Sequence, residues 1–241
     1  MDEKLTVLPR QAGESLHAYA YRVLYENIMS LRLEPGAAVN EAEIAVKLGV
    51  SRTPVHEAIT ELKEAGLIDI LPRKGTRVSK INLMRVSEGS FIRSNVEAGV
   101  IPLIIGHVPE EILQEMQKLL NRQRACLDRQ DSRSRFYVYD CRFHDLLFKA
   151  ANMERIGEFV QKINIHGLRI SYLIDYDGSY FQAIEENSYL EHLLLFSLIK
   201  RERALDFDLN AFLYQHIVRF QKYIEPYIDR YRRFFSFTGD D

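Results

Sequence analysis

Asp140 and His144 stand four residues apart in a segment, Phe136 to Leu147, whose apolar residues recur at helical spacing. At i and i+4 their side chains are ~5–6 Å apart on one face, the face that also carries Phe136, Phe143 and Leu147. A carboxylate and an imidazole are thereby aimed at a core. His192 lies in line with Leu195 and Ile199, and His216 lies between Leu209, Leu213 and Phe220, each on its own apolar stripe. Burying an aspartate beside histidines costs several kcal/mol unless something compensates. A divalent cation would compensate for all of them at once, because carboxylate oxygen and neutral imidazole are among its ordinary ligands. A single histidine on such a face is as readily a hydrogen-bonded core residue. Three of them with an aspartate, Asp140, His144, His192 and His216, leave two readings open: a metal site, or a set of hydrogen-bonded core residues.

Other residues stand near that chemistry. His166 shares a stripe with Phe159, Ile163, Ile170 and Leu173, and is either a core histidine or an additional contact beside the site. Arg93 falls on the face of Val86, Val96 and Val100, where a guanidinium needs a carboxylate: Glu97 one turn on, or an acidic ligand. Tyr139 and Tyr172 could line the same cavity.

The elements that must position these groups are helical. Periodicity predicts helices over Leu83 to Gly106, Pro109 to Arg129, Ser132 to Ala151, Met153 to Tyr172, Ser179 to Arg201 and Phe207 to Phe235, a bundle of about six. Pro109 suits a helix start, and Tyr176-Asp177-Gly178-Ser179 suits a break. Strand patterns end at about Ile81, and no internal repeat is visible. The expected class is mainly α, divided into residues 1–80 and residues 81–241.

The first part reads differently. Asn40 can cap a short helix with Glu43 three residues on, and Gly49 stops it. Ser51 can cap a second helix, Pro54 is tolerated in its first turn, and Val55, Ala58, Ile59 and Leu62 form its apolar stripe. Gly66 ends it. Leu67 to Leu71 and Thr76 to Val78 read as strands of a hairpin tipped by Pro72-Arg73-Lys74-Gly75. The remaining face of the second helix, Arg52, Thr53, His56, Glu57, Thr60 and Lys63, carries groups that reach phosphates and base edges. Arg73, Lys74, Arg77, Lys80 and Arg85 follow with no acidic residue between Leu71 and Val86, which suits a phosphate backbone.

Composition limits the alternatives. The 241 residues, 46% hydrophobic and 27% charged, fit one large or two smaller globular domains. A net charge of −2 means that any attraction for DNA is local to the second helix and the hairpin. The start Met-Asp-Glu-Lys lacks an apolar signal segment, and no run approaches the ~18 apolar residues of a membrane span. Two cysteines, Cys126 and Cys141, are too few for a disulfide framework. A cytoplasmic protein without a membrane partner is expected.

The run Leu33-Glu34-Pro35-Gly36, then Val39 to Ala45, Leu48 to Ala58, Gly66-Leu67 and Pro72 to Thr76 resembles the winged helix of GntR-type transcription regulators. The bundle behind it, through Asp140-Cys141-Arg142-Phe143-His144, Glu191-His192 and His216-Ile217, resembles the FCD-type effector domain of the FadR subfamily. The resemblance implies DNA contact by Ser51, Arg52, Thr53 and His56 and by the wing at Arg73, Lys74, Gly75 and Thr76. It also implies a metal such as zinc or nickel on Asp140, His144, His192 and His216 and a small carboxylate effector completing its shell, held in part by an arginine near the position of Arg93. His166 and Tyr139 are further candidate effector contacts from their own positions, and a homodimer on an inverted-repeat operator of double-stranded DNA is the expected arrangement. The chain departs from the family at Ala42 and His56, where arginine is common, so Arg52 and the wing are expected to carry more of the grip. Its interval from His192 to His216 is also longer by about two residues.

The expected function is therefore a cytoplasmic, effector-responsive transcription regulator. Two alternatives remain open: a metal-dependent phosphohydrolase using the pair His144-Asp145, and a sensor of the metal ion itself.

Overall fold

The computed structural model describes residues 5–128, 133–178 and 182–237. The helix ends expected at Arg129, Ser132 and Ser179 lie outside the described residues. The chain forms two compact units: one takes in the chain as far as Met84 with Leu168–Tyr176 and the segment from Tyr227 onward, the other Arg85–Gly167 with Asp177–Pro226.

The first unit opens with α1 (Leu16–Met29), capped by the Ser15 hydroxyl, which accepts from the Ala18 amide. In α2 (Glu41–Leu48) the Asn40 side chain accepts from the Ala42 and Glu43 amides, while its Nδ2 donates to Glu43 Oε1 at 2.8 Å. The expected Asn40 cap is thus present, with Glu43 bonding the Asn40 side chain rather than its backbone amide. Gly49 ends α2 in the left-handed conformation at φ 66°, which glycine adopts without strain. Ser51 holds the N-cap position of α3 (Arg52–Glu64) but its side chain makes no capping bond, contrary to expectation. Val55, Ala58, Ile59 and Leu62 are completely buried, and each large apolar side chain so removed from water stabilises by ~1.5–3 kcal/mol.

A three-stranded antiparallel sheet completes the motif, with β2 (Ile68–Leu71) and β3 (Gly75–Val78) as the expected hairpin and β1 (Ala38–Val39) on the far side of β3. The hairpin register runs from Ile68 opposite Val78 to Leu71 opposite Gly75. At its tip both Arg73 (φ 62°) and Gly75 (φ 86°) are left-handed. Strand structure does not end at Ile81, as the sequence suggested. β4 (Ile81–Asn82) pairs in parallel with β5 (Phe235–Ser236), each too short to leave a period-two pattern.

The second unit is helical: α4 (Leu83–Ile104), α5 (Glu110–Leu127), α6 (Arg133–Ala150), α7 (Glu154–Ile163), α9 (Gln182–Ile199) and α10 (Leu209–Val218), while α8 (Ile165–Asp177) and α11 (Glu225–Arg230) belong for the most part to the first unit. Its core is built by Ile101 of α4, Met116 and Leu120 of α5, Phe143 and Leu147 of α6, Leu195 and Leu198 of α9 and Leu213 of α10.

Two expected helices are broken. Met153 to Tyr172 becomes α7 and α8 because the chain turns at Asn164, where Gly89 of α4 lies so close that a Cβ there would meet the Ile163 carbonyl at 2.9 Å. Phe207 to Phe235 becomes α10, a 3-10 turn at Arg219–Tyr223 and α11, since Pro226 cannot supply the amide a continuous helix needs.

Candidate functional site

Three helices of the second unit bring the four candidate ligands together. α6 supplies Asp140 and His144, α9 supplies His192 and α10 supplies His216, and one ligand atom from each lies within 4.8 Å of all the others. His144 Nε2 is 3.1 Å from both His192 Nε2 and His216 Nε2, and Asp140 Oδ1 is 3.3 Å from His192 Nε2. The three imidazoles are buried and Asp140 is half-buried. Phe143 packs its ring 4.7 Å from that of His192. His216, on α10 beyond the loop that follows α9, stands in the cluster despite the longer interval that the resemblance implies.

Each ring is held from behind. His144 Nδ1 donates to Glu97 Oε2 at 2.7 Å, His192 Nδ1 to Gln123 Oε1 at 2.9 Å and His216 Nδ1 to Glu191 Oε2 at 2.8 Å. An acceptor at every Nδ1 places the proton there and leaves the lone pair on Nε2, facing the other two rings. These partners are themselves fixed. Glu97 Oε1 accepts from Arg93 Nε at 2.8 Å, and Glu191 accepts from Arg219.

Electrostatics agree with that assignment. Burial works to raise the Glu97 carboxyl, but His144 and Arg93 outweigh it and hold it down at about 2. Burial, and then the Arg93 charge, lower His144; burial and the facing imidazoles take His192 well below the ordinary range. Arg93 is raised, because Glu97 and Asp140 overcome the effect of its burial. For His144 and His192 these directions favour the neutral imidazole that a metal ion requires of its ligands, beside an ionised Glu97.

The donor set fits such an ion. Lone pairs on three nitrogens converging at 3.1 Å repel one another, and bonds of ~2.0–2.1 Å from one cation to imidazole would place neighbouring ligand atoms roughly 3 Å apart. Acceptors behind each ring are the outer partners that metal-bound histidines ordinarily have.

The four residues singled out in the sequence do come together, but most of the groups behind them were missed. Gln123 was not singled out, Glu191 entered only beside His192 in the matched motif, and Glu97 only as a partner for Arg93. Arg93 makes that ion pair and sits 3.8 Å from Asp140 Oδ2. Tyr139 is half-buried against the apolar core with the Arg122 guanidinium 5.6 Å from its ring centre. His166 is buried near the start of α8, and the stripe expected for it does not exist as one helix, since Phe159 on α7 is 58% exposed. Asp145 turns from the cluster and bonds Gln161 of α7, so the adjacent pair His144-Asp145 does not act as a unit.

The other candidate surface belongs to the first unit. Ser51, Arg52, Thr53 and His56 are exposed on the first turns of α3, and Arg73, Lys74 and Gly75 are exposed at the hairpin tip, with Thr76 half-buried behind them. His56 Nδ1 lies 3.3 Å from Glu41 Oε1 at the start of α2. No described helix is long and apolar enough to cross a membrane.

Known proteins bear on both surfaces. Residues 16–78 match the bacterial regulatory proteins of the gntR family and residues 90–206 match the FCD domain. The HTH-type transcriptional repressor RspR of Escherichia coli (strain K12) is 32% identical over 153 residues, 64% of this chain and 67% of its own. An HTH-type transcriptional regulator of Agrobacterium vitis, in the TAR-I ttuE-ttuC' intergenic region, is 33% identical over 157 residues, 62% of this chain and 90% of its own. Two solved structures share the fold: McbR/YncC of E. coli, with a TM-score of 0.68 at 20% identity over 90% of this chain and 99% of that one, and a GntR regulator from Rhodococcus sp. RHA1, with 0.64 at 19% over 88% and 98%. The chain therefore belongs to the GntR family of bacterial regulatory proteins, carries an FCD domain behind its winged helix, and is a DNA-binding transcription regulator rather than an enzyme.

Proposed function

We propose that this regulator works in the cytoplasm as a homodimer on an inverted-repeat operator, and that a small carboxylate effector bound at a metal site conditions its hold on DNA. Residues 1–80 would make the DNA contacts, through Ser51, Arg52, Thr53 and His56 on α3 and Arg73 to Thr76 on the wing. Residues 81–241 would hold the metal, the effector and the dimer. Repression is the proposed outcome, by likeness to RspR, which is named a repressor.

The observation that carries this reading is the convergence of the His144, His192 and His216 Nε2 atoms beside Asp140, each ring held by its own acceptor. A bound divalent ion, such as the zinc or nickel that the family resemblance implies, would supply the positive charge that attracts a carboxylate. Arg93 supports an acidic effector, because among the described residues its Nη2 makes no hydrogen bond while lying near Asp140. His166 and Tyr139 are further candidate contacts. An effector changes operator binding only so far as it prefers one arrangement of the dimer over another.

Fluorescence anisotropy tests this with a labelled duplex from upstream of the regulator's own gene and a random duplex at the same salt, with added zinc and with a chelator. Tighter binding to the upstream duplex, altered by chelator and unaltered by chelator in His144→Ala, is expected. Equal affinity for both duplexes would overturn the operator reading, and indifference to chelator would overturn the metal's role. A chelator effect that no carboxylate modifies would make the ion itself the signal.

A further inference from the structure

Arg169, on α8, is a completely buried guanidinium. Its Nη2 donates to the Ser79 carbonyl at 2.8 Å, and its Nη1 donates to Ser79 Oγ at 3.0 Å and to the Lys80 carbonyl at 3.3 Å. Ser79 in turn donates its amide to the Leu67 carbonyl at 2.9 Å and its hydroxyl to the Gly66 carbonyl at 2.6 Å. Leu67 immediately precedes β2, and Ser79 immediately follows β3. Both stems of the wing hairpin are therefore joined at one buried residue, and Arg169 holds that residue. The segment from Ser79 to Met84 is anchored here and again where β4 pairs with β5.

Burying a cation on neutral carbonyls is an expensive way to fill space. Burial lowers the Arg169 guanidinium to about 10, and only the Asp69 charge opposes this. What a guanidinium gives that an apolar side chain does not is a rigid fork, fixing two successive residues in direction as well as distance. Direction matters at this point of the hairpin. The tip pair Leu71–Gly75 is three residue pairs from the stem pair Ile68–Val78, ~10 Å away, so a tilt of ~10° at the stem moves the tip by ~2 Å.

We infer that Arg169 is a positioning residue for DNA binding: by clamping Ser79 and Lys80 it sets the angle at which the wing presents Arg73 and Lys74 to the duplex. The inference rests on the proposed reading that the wing tip contacts DNA. It assigns a role in DNA binding to a residue that lies outside the winged-helix segment of the sequence.

The test is a double-mutant cycle in the full chain, using the upstream duplex or, if binding is not selective, a random duplex at low salt. Arg169→Met is expected to weaken binding at least tenfold. It should also lower the slope of log affinity against log salt by up to ~2, the share of two lost phosphate contacts at ~0.9 each. Combined with Arg73→Ala and Lys74→Ala it should add little further loss, whereas combined with Arg52→Ala its effect should add in full. Arg169→Lys, which keeps the charge but not the fork, should fall between. Zinc binding measured on each variant confirms that the helical unit is intact; where Arg169→Met does not fold, Ser79→Ala, which removes the hydroxyl's bonds to Arg169 and to the Gly66 carbonyl and leaves the backbone partners of the fork, should show the same non-additivity in smaller measure. An unchanged salt slope, or strict additivity with the wing substitutions, overturns the inference. If the wing substitutions alone leave binding unchanged, the wing reading falls first and this inference with it.

Discussion

Glu97 and His144 are 47 residues apart in sequence and meet at 2.7 Å in the helical unit, carboxylate Oε2 to ring Nδ1. The contact fixes which nitrogen of His144 carries the proton, and so which one faces His192 and His216. Arg93 on the other carboxylate oxygen keeps Glu97 ionised and still. The ring that would face a metal is thus oriented from the side opposite to the cluster.

Glu97→Gln keeps the shape and removes the charge. Zinc affinity should fall by about 10–100-fold, the usual effect of losing an outer partner, with the helical content unchanged. Competition against a chromophoric chelator measures it, and wild-type affinity in the variant would remove Glu97 from the site.

Acidification should destabilise the chelator-treated protein through its histidines. Folded values for His144 and His192 are depressed, so the folded state binds fewer protons than the unfolded chain. Their contribution is present above the unfolded value of ~6.5 and is lost as pH falls through the folded values. Glu97, held at about 2, keeps its contribution until far lower pH. The thermal midpoint should therefore be level from about pH 7 to 8 and decline toward about pH 5, and His192→Gln should flatten the decline. A midpoint indifferent to pH over that range would contradict the assignment.

Asn40 and Ser51 occupy equivalent cap positions with unequal bonds. Asn40→Ala should cost about 1 kcal/mol of stability, because two α2 amides lose their acceptor. Ser51→Ala should cost a few tenths at most, since no such bond exists to lose, and any large effect on DNA affinity would then report a DNA contact. Thermal unfolding separates the two.

Arg52 should be the most damaging single substitution on α3. If it reads a base edge, Arg52→Ala costs about 1–3 kcal/mol of operator affinity and relaxes sequence preference; if it holds a phosphate, the salt slope drops by about one unit for every sequence alike. Anisotropy on paired duplexes distinguishes these outcomes, and binding equal to wild type would take Arg52 out of the interface.

Much of this was legible in the sequence because it is local. Asn40, Gly49, Gly66 and the Arg73-Lys74-Gly75 tip act through backbone geometry within a few residues, and helical phase alone directs Asp140, His144, His192 and His216 inward. What was hidden depends on distant partners. Gln123 on α5 looks like any polar residue of a helix until His192 is placed 2.9 Å away, and Arg169 gains meaning only from Ser79, 90 residues earlier. β5 is two residues long, recognisable only through β4. The split at Asn164 follows from the approach of Gly89, which no periodicity encodes. Pro226 was a local signal that an otherwise continuous apolar pattern outweighed.

Anomalous diffraction at the zinc absorption edge, from crystals of the full chain grown with zinc, tests the central claim most directly. The account predicts one strong peak bounded by His144 Nε2, His192 Nε2, His216 Nε2 and Asp140 Oδ1, absent from crystals of His144→Ala. No peak among those atoms, or one that persists unchanged in His144→Ala, would contradict it.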